Sequence, residues 1–363
     1  MRSIDSVPDG YREAVLFSIL ALCWGSSFVA IEIGLEYVPP LLFAGFRYAI
    51  AGAIVFGYAA VTNDRVRPAG RGEWAAVAVA GTFVIALYHG LLYLGELYVS
   101  GAVAATIVST APILTAAFAG VVLPEERLAP AGVAGFVLGL VGVIAVVQPS
   151  SAALGSDVTI GATLVFGAAV AFALGGVLVR PIDSALPIET LQAWAMLIGA
   201  GVLLGWAFLR GESVAAIELT SGMVLSFAYL TLVSGVFAFF LYFHLLERSG
   251  ATQVILVSYA EPVVAMGVSW VTLGYLVDSL TLVGLVTILA GFVMIKREAL
   301  RSLLRSAVDG ATTTTRDRAG HGRLRQFPLA PAGRVGGLYP PRRKHLLAHT
   351  LPDHLTDDPD ERT

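Results

Sequence analysis

Residues 100–112 read SGAVAATIVSTAP, and residues 249–262 read SGATQVILVSYAEP. Each stretch opens on Ser-Gly-Ala, continues as an apolar half-helix and ends on a proline, Pro112 in one and Pro262 in the other. The second carries one extra residue before its proline, the mark of a divergent repeat. Proline inside a helix removes a hydrogen bond and clashes with the preceding turn. In a bilayer that defect survives only where protein groups or cavity water satisfy the freed carbonyls. Two matched prolines therefore point to a central cavity rather than to a mere packing kink.

Outward from these stretches the chain divides into ten apolar segments, at about 14–36, 41–62, 74–97, 101–123, 131–148, 159–180, 190–209, 222–246, 251–274 and 279–295. They form two unequal copies of five. Copies with an odd number of crossings enter a membrane from opposite sides, and many secondary transporters build two gates around one site in this way. The expected fold is an all-α integral membrane protein of ten transmembrane helices in two inverted five-helix repeats. The first copy covers residues 1–148 and the second 149–297, leaving 298–363 as a basic cytoplasmic tail.

Composition agrees with that class. Apolar residues make up 56% of the chain and charged residues 13%, against about a quarter charged in an ordinary soluble domain. The first apolar run is longer than the roughly 7–15 residues of a signal-peptide core, so it reads as the first span. Cys23 is the single cysteine, which permits no intrachain disulfide and no thiolate metal site. From Lys296 onward the chain holds 13 of its 23 basic residues. The threonine run 312–315 and the scattered glycines and prolines there cannot bury a core, so this tail reads as disordered.

Charge sets the orientation. Arg2 and Arg12 precede the first span, and Arg65, Arg67 and Arg71 separate spans two and three. Arg127, Arg180 and Arg248 follow spans four, six and eight, and Lys296 and Arg297 open the tail. All fall on one side, with only Arg210 on the other. The positive-inside rule then places both termini in the cytoplasm of a cell-membrane protein.

The chain resembles the EamA-type carriers of the drug/metabolite transporter superfamily over roughly residues 14–297. The resemblance rests on Trp24-Gly25-Ser26-Ser27-Phe28, on Arg47, on Pro112 followed by Leu123-Pro124-Glu125-Glu126-Arg127-Leu128, and on Glu261-Pro262. It implies ten helices in inverted repeats, a cavity between the halves, and export of small metabolites or amino acids. Two positions depart from the family pattern. Leu273-Gly274-Tyr275 stands where an acidic residue is expected, and Glu32 stands where many relatives carry a cation.

Ionisable groups inside membrane helices are costly, so each is a functional candidate. Glu261 falls near the bilayer midplane beside Pro262. Withdrawal from water makes its charged form costly, which suits proton exchange or recognition of an amine. Ser258 and Tyr259 precede it, as Ser109 and Thr110 precede Pro112, and all four are candidates for the solute or proton pathway. Pro112 and Pro262 are the expected bending points. His89 and Tyr93 share one face of span three, and Glu96 extends that stripe toward the outer surface. Trp24, near the middle of span one, is a further cavity candidate. Glu32 and Arg47 sit at similar distances from the Pro39-Pro40 turn, which suggests a structural ion pair near the outer face, with Glu32 free to face the cavity if the pair opens. The glycines of spans five and ten read as packing supports or a homodimer surface. His89 and His244 have no partners at metal-ligand spacing, so neither a metal site nor a cofactor is expected.

The resulting expectation is a secondary transporter for a small organic solute, working by alternating access and open to coupling with protons, with the lipid bilayer as its other partner and no nucleic acid. A membrane-embedded enzyme using Glu261 and His89 would need a denser constellation of groups. A channel would need rings of charge or carbonyls, and no such filter segment is visible. No Gly-x-x-x-x-Gly-Lys-Ser/Thr loop is present to drive primary pumping.

Overall fold

Apolar runs bounded by small polar or proline caps make the chain helical. The computed structural model describes residues 9–147, 156–249, 254, 256–295 and 297, and among them no strand occurs. The helices are α1 (Asp9–Leu35), α2 (Pro40–Thr62), α3 (Gly70–Gly95), α4 (Gly101–Val122), α5 (Pro130–Val147), α6 (Asp157–Val179), α7 (Ile188–Leu209), α8 (Ser221–Ser249), α9 (Val257–Leu273) and α10 (Ser279–Ile295). By length and apolarity α1 to α8 can each cross a membrane, and α10 is a shorter apolar helix. The Ser100, Ser156 and Thr220 hydroxyls cap α4, α6 and α8, supplying acceptors for otherwise unpaired N–H groups. Gly274, at φ +78°, ends α9 in the left-handed conformation that glycine adopts without strain.

α5 shows what kind of solvent the fold faces. Gly132, Gly135, Gly139 and Gly142 are buried on one side, while Val133, Val137, Val141 and Ile144 are exposed on the other. An apolar stripe turned outward and glycines turned inward suit a lipid-facing helix and would be a liability in water.

The helix contacts fall into sets that exchange when one half of the chain is swapped for the other. α1 packs on α9, and α6 on α4. α3 packs on α7, and α8 on α2. α2 meets its own counterpart α7, and α4 meets α9. α5 meets α10 through reciprocal glycines: a Cβ at Gly135 would strike the Gly291 carbonyl and the reverse, and Gly142 and Gly284 stand in the same relation. These contacts run in opposite chain directions, as do Gly45 with Leu204 and Gly52 with Leu197. The counterpart pairs α5 with α10 and α2 with α7 are therefore antiparallel. The glycine face of α5 that the sequence offers as a dimer surface is occupied by α10 of the same chain.

Two features were not legible in advance. The middles of α3 and α8, Ala80–Leu87 and Tyr229–Phe237, are π-helical, and they occupy corresponding places in the two halves. π turns shift the hydrogen-bond register and are frequent at functional sites. Secondly, α4 is interrupted at Ser109–Thr110, and Pro112 sits in the first turn of the half-helix that follows. Its missing N–H is harmless there. Pro262, by contrast, lies inside α9. The Gly250-Ala251 opening of the second repeat stretch and the tail 298–363 fall outside the described residues.

Candidate functional site

A buried polar network forms where α2, α3 and α8 meet. Arg47 of α2 is 3% exposed. Its guanidinium lies 4.1 Å from the centre of the Tyr48 ring and 5.4 Å from that of Tyr93. Nη1 donates to the Leu230 carbonyl at 3.3 Å, and Nη2 to the Tyr48 hydroxyl at 3.0 Å. That hydroxyl is 2.5 Å from His89 Nε2, and His89 Nδ1 is 2.9 Å from the Ile85 carbonyl. A carbonyl only accepts, so Nδ1 carries the proton. In the neutral ring Nε2 then accepts from Tyr48. The chain of donation runs one way, from Arg47 to Tyr48 to His89 to Ile85.

Both terminal acceptors lie in the π stretches, Leu230 in that of α8 and Ile85 in that of α3. Trp24 also reaches the α8 stretch, donating from Nε1 to the Ser234 carbonyl at 3.4 Å while its ring meets Phe239 and Tyr242. Carbonyls in the register-shifted turns thus become acceptors for side chains, which is why a buried cation is tolerated here without a bonded carboxylate.

Both carboxylate oxygens of Glu96 and the Thr231 hydroxyl, buried beside this network, have no hydrogen-bond partner among the described residues, while the Tyr93 hydroxyl interacts with the Arg47 guanidinium. Glu96 interacts electrostatically with Arg47 and with Glu32. Unsatisfied buried polar groups are rare, which makes this cluster the candidate site. Glu261, buried on α9, lies within electrostatic reach of Tyr88, whose ring meets that of His89. The Glu261 carboxyl has no hydrogen bond among the described residues, and its backbone carbonyl is where a Cβ on Gly25 of α1 would strike.

The expected Glu32–Arg47 ion pair is not formed. Glu32 Oε2 instead accepts from the Gly101 N–H at 2.8 Å, at the start of α4, and Oε1 accepts from the Tyr275 hydroxyl. Similar depth on consecutive helices does not make neighbours, since α1 packs chiefly on α9 and α2 on α7. A helix N-terminus with free N–H groups attracts a carboxylate as well as a cation does. The two positions that depart from the family pattern, Glu32 and Tyr275, are thus bonded to one another. Burial, and then the carboxylate, push the Tyr275 phenol up to about 12, so it stays a donor at physiological pH.

Other candidates are placed elsewhere. Ser109 and Thr110 donate to the Thr106 and Ile107 carbonyls of their own helix, both at 2.6 Å. Tyr259 stacks on Phe292 of α10 at 4.2 Å, in an apolar cluster with Ile113 and Ile288, away from the Arg47 network. Ser258 is half-buried. A cavity of about 390 Å³ opens between the starts of α4, α6 and α10, lined in part by Ser100, Ser156 and Asp278. None of the network residues lines it. Among the described residues no group of three or more His, Cys, Asp or Glu could hold a metal ion.

Tyr48 and Tyr88 went unnoticed in the sequence, and Tyr275 was noted only as a departure from the family pattern. Neighbours at i and i+1 point to different faces of a helix, so nothing in the periodicity pairs Tyr48 with Arg47. The link is made through the phenol of one and the long stem of the other.

Comparison with known proteins supports the same architecture. The model of the EamA-like transporter family matches twice, over residues 12–148 and 159–297. The chain is 28% identical over 285 residues to an uncharacterized transporter of Bacillus subtilis, YvbV, covering 78% of this chain and 89% of that one. It is 26% identical over 291 residues to a probable amino-acid metabolite efflux pump of Salmonella typhimurium, covering 77% and 93%. A protein of known crystal structure superposes with a TM-score of 0.56 at 22% identity, covering 80% of this chain and 98% of the other, which shows a shared fold. With two family matches laid over two sets of exchanging helices, the chain belongs to the EamA-like transporter family of the drug/metabolite transporter superfamily and is a multi-pass membrane transporter.

Proposed function

We propose that the chain crosses the membrane ten times as two inverted five-helix copies, residues 1–148 and 149–297, with both termini in the cytoplasm. In this reading it exports a small polar metabolite, amino-acid-like in size and charge, by alternating access. The observation that carries the reading is the set of buried atoms on Glu96 and Thr231 that have no hydrogen-bond partner among the described residues, beside the Arg47 guanidinium and contributed by helices of both copies. A site shared between inverted copies is reached from either face as the copies rock. The guanidinium suits a carboxylate, and Glu96 suits an ammonium group or a proton. The Salmonella relative, named as an amino-acid metabolite efflux pump, favours the same solute class.

Glu261 serves in this scheme as the proton-sensitive group of the second copy. It is buried with no hydrogen-bond partner among the described residues, a position in which a carboxyl gains from neutralisation. A panel of amino acids and related metabolites in sealed vesicles, with a pH gradient imposed and removed, tests the proposal. Saturable transport of one class is expected, and Glu261→Gln is expected to preserve folding while abolishing the response to the gradient. Product formation without transport would favour an enzyme. Non-saturating flux would favour a channel, and a normal pH response in Glu261→Gln would leave that residue merely structural.

A further inference from the structure

We infer that two matched polar latches, Glu32 with Tyr275 and Arg180 with Glu126, hold the outer and inner gates of this carrier shut. The inference rests on the alternating-access reading above for its function, but its geometry stands by itself. In one half, Gly25 of α1 lies against Glu261 and Val264 of α9. In the other, Ala173 of α6 shares a buried cluster with Ala111 and Leu114 of α4. These contacts correspond, because α1 on α9 becomes α6 on α4 when the halves are exchanged.

Seven residues, two helical turns, beyond Gly25 and Ala173 stand Glu32 and Arg180. Both reach the loop that follows the helix they pack on. Glu32 accepts from Tyr275, in the α9–α10 connection. Arg180 Nη1 donates to both Glu126 oxygens, at 3.1 and 2.9 Å, in the α4–α5 connection. Tyr275 follows Pro262 by thirteen residues, and Glu126 follows Pro112 by fourteen, so the partners correspond within one position. α2 and α7 are antiparallel and each follows the latch-bearing helix by a short connection, so the ends of α1 and α6, and with them the two latches, lie at opposite ends of the bundle.

Their chemistry differs in a useful way. The inner latch is an ion pair with side chains 42% and 51% exposed. Such pairs add little to stability and are readily broken and remade. The outer latch joins a carboxylate to a phenol and also ties down the first turn of α4 through the Gly101 N–H. Each latch bridges the end of the first helix of one copy to the other copy, which is where two rocking copies part on one side.

Hydrogen exchange in detergent or nanodiscs tests the assignment without any solute. Tyr275→Phe should raise exchange several-fold at the outer ends of α1 and α4, and lower it at the inner ends of α4 and α6 as the population shifts outward. Glu126→Gln should do the reverse. The charge-swapped pair Arg180→Glu with Glu126→Arg should restore the exchange pattern of the unmodified chain. A rise confined to the mutated end, with no fall at the opposite end, would show that the contacts are local braces and overturn the proposal. So would no change at all. Absence of saturable transport by the unmodified chain would count against the carrier reading alone, since the exchange experiment would still report on the latches.

Discussion

The α5–α10 seam and the meeting of α2, α3 and α8 are built on opposite principles. At the seam, backbone touches backbone through Gly135, Gly142, Gly284 and Gly291, with aliphatic side chains packed beside them, such as Val146 against Gly284 and Ile288 against Gly142. Where α2, α3 and α8 meet, the helices widen into π turns, long polar side chains bridge them, and buried donors and acceptors are left unpaired. Close apolar contact gives a joint with one arrangement. A polar network with spare bonding capacity gives a joint that can be completed in more than one way. On the proposed function, α5 and α10 give support and the centre does the work.

The largest effect expected from breaking this contrast is at the seam. Gly142→Leu would drive carbon atoms into the Gly284 carbonyl and the Ile288 backbone, and overpacking of this kind costs about 1–3 kcal/mol or more. Most folded protein should be lost, as read by monodispersity on extraction. Gly57→Ala on α2, where nothing lies within 4 Å of the new Cβ, is the matched control and should fold normally. Equal damage from both would erase the distinction.

The centre should respond differently. Arg47→Leu removes the donor to Leu230 and Tyr48 but strands no bonded carboxylate, so the chain should fold while transport falls by about tenfold or more, the loss that follows from about 1.5–3 kcal/mol for a charged hydrogen bond. Combining it with Glu32→Gln should give nearly additive changes in stability, because the two residues share no hydrogen bond and are linked only through the Glu96 charge. Strong coupling between them in a double-mutant cycle would restore the ion pair that the structure lacks.

The smallest effect sharpens the comparison along α2. Glu212, in the α7–α8 connection, accepts from the Leu41 and Leu42 N–H groups at the start of α2. At the other end of the same helix pair, Trp194 and Thr190 of α7 donate to the Val66 and Arg65 carbonyls. α2 and α7 are thus pinned to each other at both ends. Glu212→Ala should cost about 1 kcal/mol, as for loss of a helix cap, seen as a small fall in thermal stability with transport kept. A loss as severe as that of Gly142→Leu would place a second rigid seam beside the working centre.

Much of the fold was legible because it depends on quantities summed along the chain. Runs of apolar residues long enough for a bilayer, glycines spaced along spans five and ten, and the duplicated SGA-to-proline stretch all declare helices and a repeat before any contact is known. The His89, Tyr93 and Glu96 stripe was readable for the same reason, since its members share one helix face. Partnership across helices was not. Glu32 and Arg47 look paired when the chain is folded at its nearest turn, yet α1 settles on α9, and Glu32 finds the start of α4 and the phenol of Tyr275 instead. Tyr259, next to a candidate acid in the chain, turns to Phe292. The π stretches leave no pattern in sequence, because an extra residue per turn is a small local cost that only the packing of α3 and α8 against their neighbours decides. What the sequence determined by itself was which segments leave water and how they repeat, since hydrophobic transfer is additive and needs no partner. The tertiary structure alone decided which polar atoms meet, since a hydrogen bond depends on distance and direction between residues the chain holds far apart.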